Sequence, residues 1–575
     1  MREIKGAILF LFLFLLLSFC SQPERQPDEV RIRLAADIGS LNPVSYSEME
    51  ALQIINLLYN SLLTTDLADN TLKPGLASSL PQVERNDSLT LFTYRIREEA
   101  KWADGSPVTG SDVAFTLKVL KAPFINNENL SPQIEFIRDI EVDKSNPKQF
   151  TMVCTGYTPE MELLTGDFFI LPAYLLDPEG LFTVIELPML ADTSTMTRNK
   201  GRITAFADRL NKTGSPDNTE LLSGSAGYTL ERWAKGQFVT LKRKENWWGN
   251  KIGADGRHLT ANPARISFQI IPENTTALLA LKNRQLDVLD NIPVSEFVQL
   301  SRDEAFLKDY ELDTPQGYSL VYAGLNSRAP KLQDKRTRQA IAHLLDVDNL
   351  IKATQQTYAS PTVGPIPPSV KQFYHHNLQP YTFNVQKATN LLRSAGWIKE
   401  QGGWYQQLKG KREQLTLEII HIAGNTVYEQ SALIFKQNAA KVGIPVTVQA
   451  LESNYFSQQI NSRDFDMFFR GISGNPFVFN FKPLFHSSNA GPGGFNTTGF
   501  GTEESDALLD AVNSAATEKE KARLLKRLQE ILHEEAAFIS LYYRKEKLAI
   551  HRRFTNTKVS GLSPYYDVSS FMLKK

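Results

Sequence analysis

Cysteine is almost missing from this chain of 575 residues: Cys20 and Cys154 are the whole supply. Two thiols so far apart exclude a zinc site of the cysteine-rich kind and leave no disulfide framework to read. A surplus of one charge is missing too. Lys+Arg and Asp+Glu stand at 63 each, and without the first 19 residues the counts become 61 against 62, or −1. Nucleic acid needs a basic stripe to neutralise its phosphates, so neutrality argues against that partner. No internal repeat or long low-complexity segment is found.

The common catalytic signatures are also lacking. "GISGN" around Ser473 falls short of G-x-S-x-G, because Asn475 stands where the second glycine belongs. "KGKRE" near Lys411 has neither the hydroxyl nor the upstream glycine of a phosphate loop. There is no H-E-x-x-H. The eight histidines are scattered; His375 and His376 adjoin, but neighbours in regular structure face different ways. No motif calls for catalysis, a cofactor or a metal, although scattered acids keep an enzyme open as the competing class.

What is present is ordinary globular composition, 42% hydrophobic and 22% charged. The length exceeds what one core fills, so two or more lobes are expected. At the N-terminus "MREIKG" precedes "AILFLFLFLLLSF", 13 residues without a charge. Crossing a bilayer takes about 20, so the run suits a secretory signal peptide over residues 1–19. "LSFC" resembles a bacterial lipobox ending in Cys20, with Phe19 in place of the usual small residue. The alternative is an uncleaved anchor. Residues 20–29, "CSQPERQPDE", read as a lipidated tether, and both readings place the body outside the cytoplasmic membrane. Cys154 alternates with apolar neighbours in "FTMVCTG" and reads as a buried, inert strand residue.

Strand-like runs interleave with helical ones, which implies an α/β architecture. "VRIRLAAD", "SFQIIP", "LTLEIIHIA" and "IPVTVQALE" read as strands. "TALLALKNRQ", "DKRTRQAIAHLLDVDNLIKA", "NVQKATNLLRSAG" and "EKEKARLLKRLQEILHEEA" read as helices. Asp334 and Asn384 are candidate N-caps and Gly396 a candidate C-cap. "KWADGSPVTGSDVAFTLKVL" reads as strand, turn and capped helix, Thr109 and Asp112 resembling a capping box. "SNAGPGGFNTTGFG" is a glycine-rich surface loop.

Segments in one order along nearly the whole chain resemble the family 5 extracellular solute-binding proteins, the peptide-binding receptors of ABC importers. They include "DIGSLNP", "LTLFTYRIREEAKWADGSPVTGSDVAFTLK", "GSAGYTLERWAKGQFVTLKRKENWWG", "LNSRAPKLQDKRTRQAIAHLLDVDNLI", "NVQKATNLLRSAGW" and "GFNTTGFGTEESDALL". The resemblance implies a type II periplasmic-binding-protein-like fold. Lobe 1 would take residues 30–272, with an extra subdomain over about 50–164. Lobe 2 would take 273–541, and 542–575 would return to lobe 1. The crossings would fall near Ile270 to Thr275 and Phe538 to Arg544. A deep cleft between the lobes would close over the ligand.

By the same resemblance "RGISGNPFVFN" lines that cleft, with Gly471, Ile472, Ser473, Gly474 and Asn475 as candidate ligand contacts. Glycine lets backbone approach closely, and exposed N–H and C=O groups can bind a peptide as an added strand. Peptide-binding members usually place an aspartate in this loop for the ligand's α-ammonium, where this chain has Asn475; Ile472 replaces a frequent tryptophan. Either another acid serves, Asp37 being a candidate, or the ligand lacks a free amino terminus. Asp37, Ile38 and Gly39 in "AADIGSLNP" and Phe115 on the capped helix are further candidates by position. For Phe115 core packing competes, and for Asp37 a simple turn. Gly224, Gly227, Tyr228 and the Trp247–Trp248 pair read as scaffold. The expectation is a monomeric, lipid-anchored, extracytoplasmic receptor that takes peptide to an ABC permease, with no cofactor. Oligosaccharide, metal chelate or haem are alternatives within the family.

Overall fold

The alternation in "EVRIRL" produces the strand Glu29–Leu34, burying Val30, Ile32 and Leu34. The computed structural model describes residues 28–575 apart from 68, 87, 129, 253–258 and 492. The expected signal peptide, Cys20 and most of the tether therefore lie outside the described residues.

Glu29–Leu34 is central in a seven-stranded sheet, parallel to both Arg265–Ile270 and Val288–Leu289. Phe238–Arg243 and Tyr228–Ala234 extend one side. Leu548–His551 and Tyr310–Asp313 extend the other. A second sheet of six strands has Gln316–Leu325 between Phe538–Lys545 and Met467–Ser473, with Leu417–Ile422 and Val446–Leu451 beyond. Each sheet has its own apolar core, which makes the molecule a two-lobed α/β protein. A separate antiparallel sheet of four strands, Gln82–Arg85, Leu89–Arg95, Gln149–Thr155 and Ile137–Val142, shares the first core. It falls within the stretch expected to form an extra subdomain.

By sheet membership the chain leaves the first sheet after Asp313, enters the second at Gln316, and re-enters the first between Lys545 and Leu548. The first passage differs from the expectation near Ile270 to Thr275. The short strands Val288–Leu289 and Tyr310–Asp313 are why: both pair with the returning Leu548–His551 and stay with the first sheet.

Local signals fared well where their chemistry is short-range. Asp112 Oδ2 accepts the backbone N–H of Thr109 at 2.8 Å, closing the capping box of helix Gly110–Lys121. Asp334 accepts the N–H of Arg336 at 2.8 Å, and Asn384 that of Lys387 at 2.9 Å. Gly396 follows the end of helix Val385–Ser394 at φ +91, the left-handed conformation that suits glycine. "DKRTRQAIAHLLDVDNLIKA" differs: it forms two helices, Lys335–Ala342 and Val347–Gln355, because Asp346 caps a fresh start by accepting the N–H of Asn349. Cys154 is fully buried in its strand, and burial pushes its thiol up to about 12.

Candidate functional site

The strand Met467–Ser473 pairs along its whole length with Gln316–Leu325 on one edge. On the other edge its partner Leu417–Ile422 is registered only at Ile419–Met467 and Ile420–Phe468. The run Phe469–Ser473 therefore has one edge without a strand partner among the described residues. Gly471 sits on that run with the Tyr428 hydroxyl close by, and Gly474 leaves it, donating its N–H to the Tyr318 carbonyl at 3.0 Å.

Asn475 then turns the chain. Its Oδ1 accepts the N–H groups of Phe477 and Val478, each at 2.8 Å, an Asx turn that holds the loop without help from a ligand. The turn delivers Asn475, Phe477 and Val478 to a cavity of about 500 Å³ whose remaining walls come from the first lobe. Those walls are helix Met49–Leu58 with the segment after it, the chain around Asp167, the Gly227 turn with Trp247, and residues 562–569. Gln53 fixes the last of these by donating to the Tyr566 hydroxyl at 2.6 Å. The volume lies in the usual range for small-ligand sites, roughly 300–1,000 Å³. Closure between lobes can remove a bound solute from water on every side.

Of the candidate residues, Asn475 lines this cavity, and Gly471, Ile472, Ser473 and Gly474 form the strand edge and loop that lead to it. Asp37, Ile38 and Gly39 do not line it. Asp37 Oδ1 accepts the N–H of Ile38 at 3.0 Å, Ile38 is buried, and Gly39 lies beside the Glu48 carboxylate. Phe115 is 5% exposed and packs edge-on against Phe182 and Phe206, at 6.0 and 6.2 Å between ring centroids. That is core packing.

Gly227, Tyr228 and Trp247 do line the cavity although they read as scaffold. They do both jobs: Trp247 and Trp248 each donate from Nε1 to the Ser225 carbonyl, at 2.9 and 2.7 Å. Tyr46, Asn60 and Asp167 were not singled out and carry no local signal. They meet only because Ser61 bridges to Phe169 and Ile170 donates to the Asn60 carbonyl at 3.0 Å. His375 binds Glu530 at 2.9 Å through Nε2, and His421 is buried with Nδ1 near the Ile422 carbonyl. Among the described residues no group of three or more His, Cys, Asp or Glu side chains could hold a metal ion.

The sequence model of the bacterial extracellular solute-binding proteins, family 5, matches residues 71–492. The oligopeptide-binding protein AppA of Bacillus subtilis is 22% identical over 535 residues, 91% of this chain and 87% of that protein. The heme-binding protein A of Haemophilus influenzae is 23% identical over 338 residues, 58% of this chain and 57% of that protein. In structure, AppA of Bacillus subtilis in complex with a nonapeptide superposes with a TM-score of 0.67 at 20% identity, covering 95% of this chain and 99% of the other. NikZ of Campylobacter jejuni in complex with Ni(L-His) gives 0.69 at 22% identity, covering 95% and 100%. The sequence match spans well over half of the chain and the architecture agrees with it, so this protein belongs to the bacterial extracellular solute-binding proteins of family 5.

Proposed function

We propose that this chain is the solute receptor of an ABC importer and that it captures peptides between its lobes for delivery to a membrane permease. The observation that carries the reading is the half-paired strand Phe469–Ser473, which runs into a cavity walled by both lobes. A free strand edge binds any peptide backbone through N–H and C=O groups, so it tolerates varied side chains. The enclosed cavity then fixes one end of the ligand. Capture needs only closure, which buries the solute and leaves a closed surface for the permease to recognise; no bond is made or broken.

Cys20, lipidated as the first residue of the mature chain, would tether a monomeric receptor to the outer face of a membrane. Radiolabelled palmitate incorporation that disappears in Cys20→Ser tests the anchor. The ligand class is tested by native mass spectrometry of the chain purified gently from an exporting host. A family of adducts at peptide masses is the expected result. One discrete non-peptide adduct would reassign the receptor to a specialised solute such as an oligosaccharide, metal chelate or haem. Release of a chemically altered ligand would make it an enzyme.

A further inference from the structure

The charge pattern of the inter-lobe cavity is one-sided. Among the described residues no lysine, arginine or histidine lines it, but three aspartates do: Asp66, Asp167 and Asp567. Asp66 faces Lys558 at 3.9 Å. Asp567 accepts the N–H and the hydroxyl of Ser569, at 3.1 and 2.6 Å. The Asp167 side chain makes no hydrogen bond or ion pair with any described residue.

Its placement is locally unfavourable as well. The Asp167 N–H closes helix Met161–Gly166 by donating to the Leu163 carbonyl at 2.9 Å, which sets the carboxylate at a helix end whose carbonyls already disfavour negative charge. The side chain is exposed into the cavity rather than buried in the core, and the protein packed around that space pushes its carboxyl up to about 7. The tension disappears when a cation arrives beside it.

Two further features suit a cation attached to a carbonyl. Tyr46, Phe169 and Trp247 supply aromatic wall to the same cavity, and aromatic rings stabilise ammonium groups. Asn60, one strand-bridge away from the Asp167 segment, has its amide nitrogen buried without a hydrogen-bond partner among the described residues. That donor lacks an acceptor, and buried polar groups are rarely left so.

We propose that Asp167 is the counter-ion for a cationic solute group, the free α-ammonium of a peptide under the reading above, while the Asn60 amide donates to the carbonyl next to it. The assignment rests on the cavity being the ligand site, and it makes the first lobe, not the Asn475 loop, the reader of the amino end.

The test uses the full chain with three synthetic alanine tripeptides: free, N-acetylated and C-amidated, titrated calorimetrically against wild type, Asp167→Asn and Asp167→Glu. Wild type is expected to bind the free and C-amidated forms at least about tenfold more tightly than the N-acetylated one, because closure of the lobes over the ligand would take the ion pair out of water. Asp167→Asn should erase that ratio without lowering the melting temperature, since the native carboxylate has no partner to lose; Asp167→Glu should keep part of it. Asn60→Ala should weaken all three forms by a common factor. Equal wild-type affinity for free and acetylated peptide overturns the proposal, as does a ratio that survives in Asp167→Asn. The peptide reading fails separately. If no tripeptide binds but a co-purifying amine is lost from Asp167→Asn, the counter-ion stands and the peptide class falls. A neutral or anionic ligand retained by Asp167→Asn overturns the counter-ion whatever the class.

Discussion

The carboxamide of Asn475 is already engaged by its own loop, since Oδ1 holds the N–H groups of both Phe477 and Val478. Asn475→Ala would leave those two donors without their acceptor, at about 1 kcal/mol for a half-buried turn, and ligand affinity should fall because Phe477 and Val478 lose their fixed place in the cavity wall. Asn475→Asp is the informative change. It keeps the acceptor and adds charge to a cavity that faces a cation, so the preference for free-amino over N-acetylated peptide should rise by calorimetry. An unchanged ratio would mean that a charge on this loop lies too far from the ammonium held at Asp167 to act on it. At this scale the sequence was legible where chemistry is local: the Thr109–Asp112 capping box and the Asp334 and Asn384 caps could be named from spacing alone. Asp167 was illegible because nothing about an acid in "TGDFF" differs from a surface acid until the Ser61–Phe169 bridge brings Asn60 beside its segment. Phe115 was ambiguous for the opposite reason: core and cleft both accept a phenyl ring, and only contact with Phe182 and Phe206 decides between them.

Between elements, the closure of the first sheet depends on one carboxylate. Asp287 immediately precedes Val288–Leu289, its side chain is 0% exposed, and it meets Arg31 of the central strand at 3.0 Å and Arg553 of the returning chain at 2.8 Å. Burial would raise its carboxyl, but the hydrogen bonds and charges of the two guanidiniums prevail and hold it below the usual aspartate range. Replacing Asp287 by asparagine takes the buried carboxylate from two half-buried arginines, and breaking a buried pair costs about 3–5 kcal/mol, so the melting temperature should drop sharply. The pH dependence has a definite sign. A depressed folded pKa stabilises above the unfolded value and loses that contribution as pH falls, so wild-type stability should decline below about pH 4 more steeply than that of Asp287→Asn. Equal slopes would show that this carboxylate does not control acid stability. None of this pairing could be read beforehand. Period-two alternation identified Glu29–Leu34 as a strand, but the partner of Arg31 lies 256 residues away. Strands as short as Val288–Leu289 have no periodicity to detect.

At the scale of the whole molecule, one polar contact between the two lobes is a buried ion pair. Glu160, beside the four-stranded sheet, pairs with Lys521 of helix Glu518–Glu535, their side chains 11% and 3% exposed. Longer contacts also join the lobes: Arg85 donates to the Ala516 carbonyl and Asn70 to the Tyr318 hydroxyl, both at 3.5 Å. Two-lobed organisation was legible from length and resemblance, but nothing in the sequence indicated which residues would hold the lobes together. The pair is dry only while the lobes are closed, so it can act as a latch. In Lys521→Met the closed form buries the Glu160 carboxylate without a partner, whereas an open form returns it to water, and the balance should shift toward opening. Small-angle scattering of the ligand-free chain should then give a larger radius of gyration, and bound ligand should leave roughly tenfold faster or more, a conservative fraction of what a broken buried pair costs. The double variant Glu160→Leu with Lys521→Met replaces the charges by apolar groups of similar size and should recover compactness, because well-packed hydrophobes substitute for a buried ion pair at little cost. If Lys521→Met scatters as wild type does, the pair follows closure without stabilising it, and the ligand itself must supply the difference between open and closed lobes.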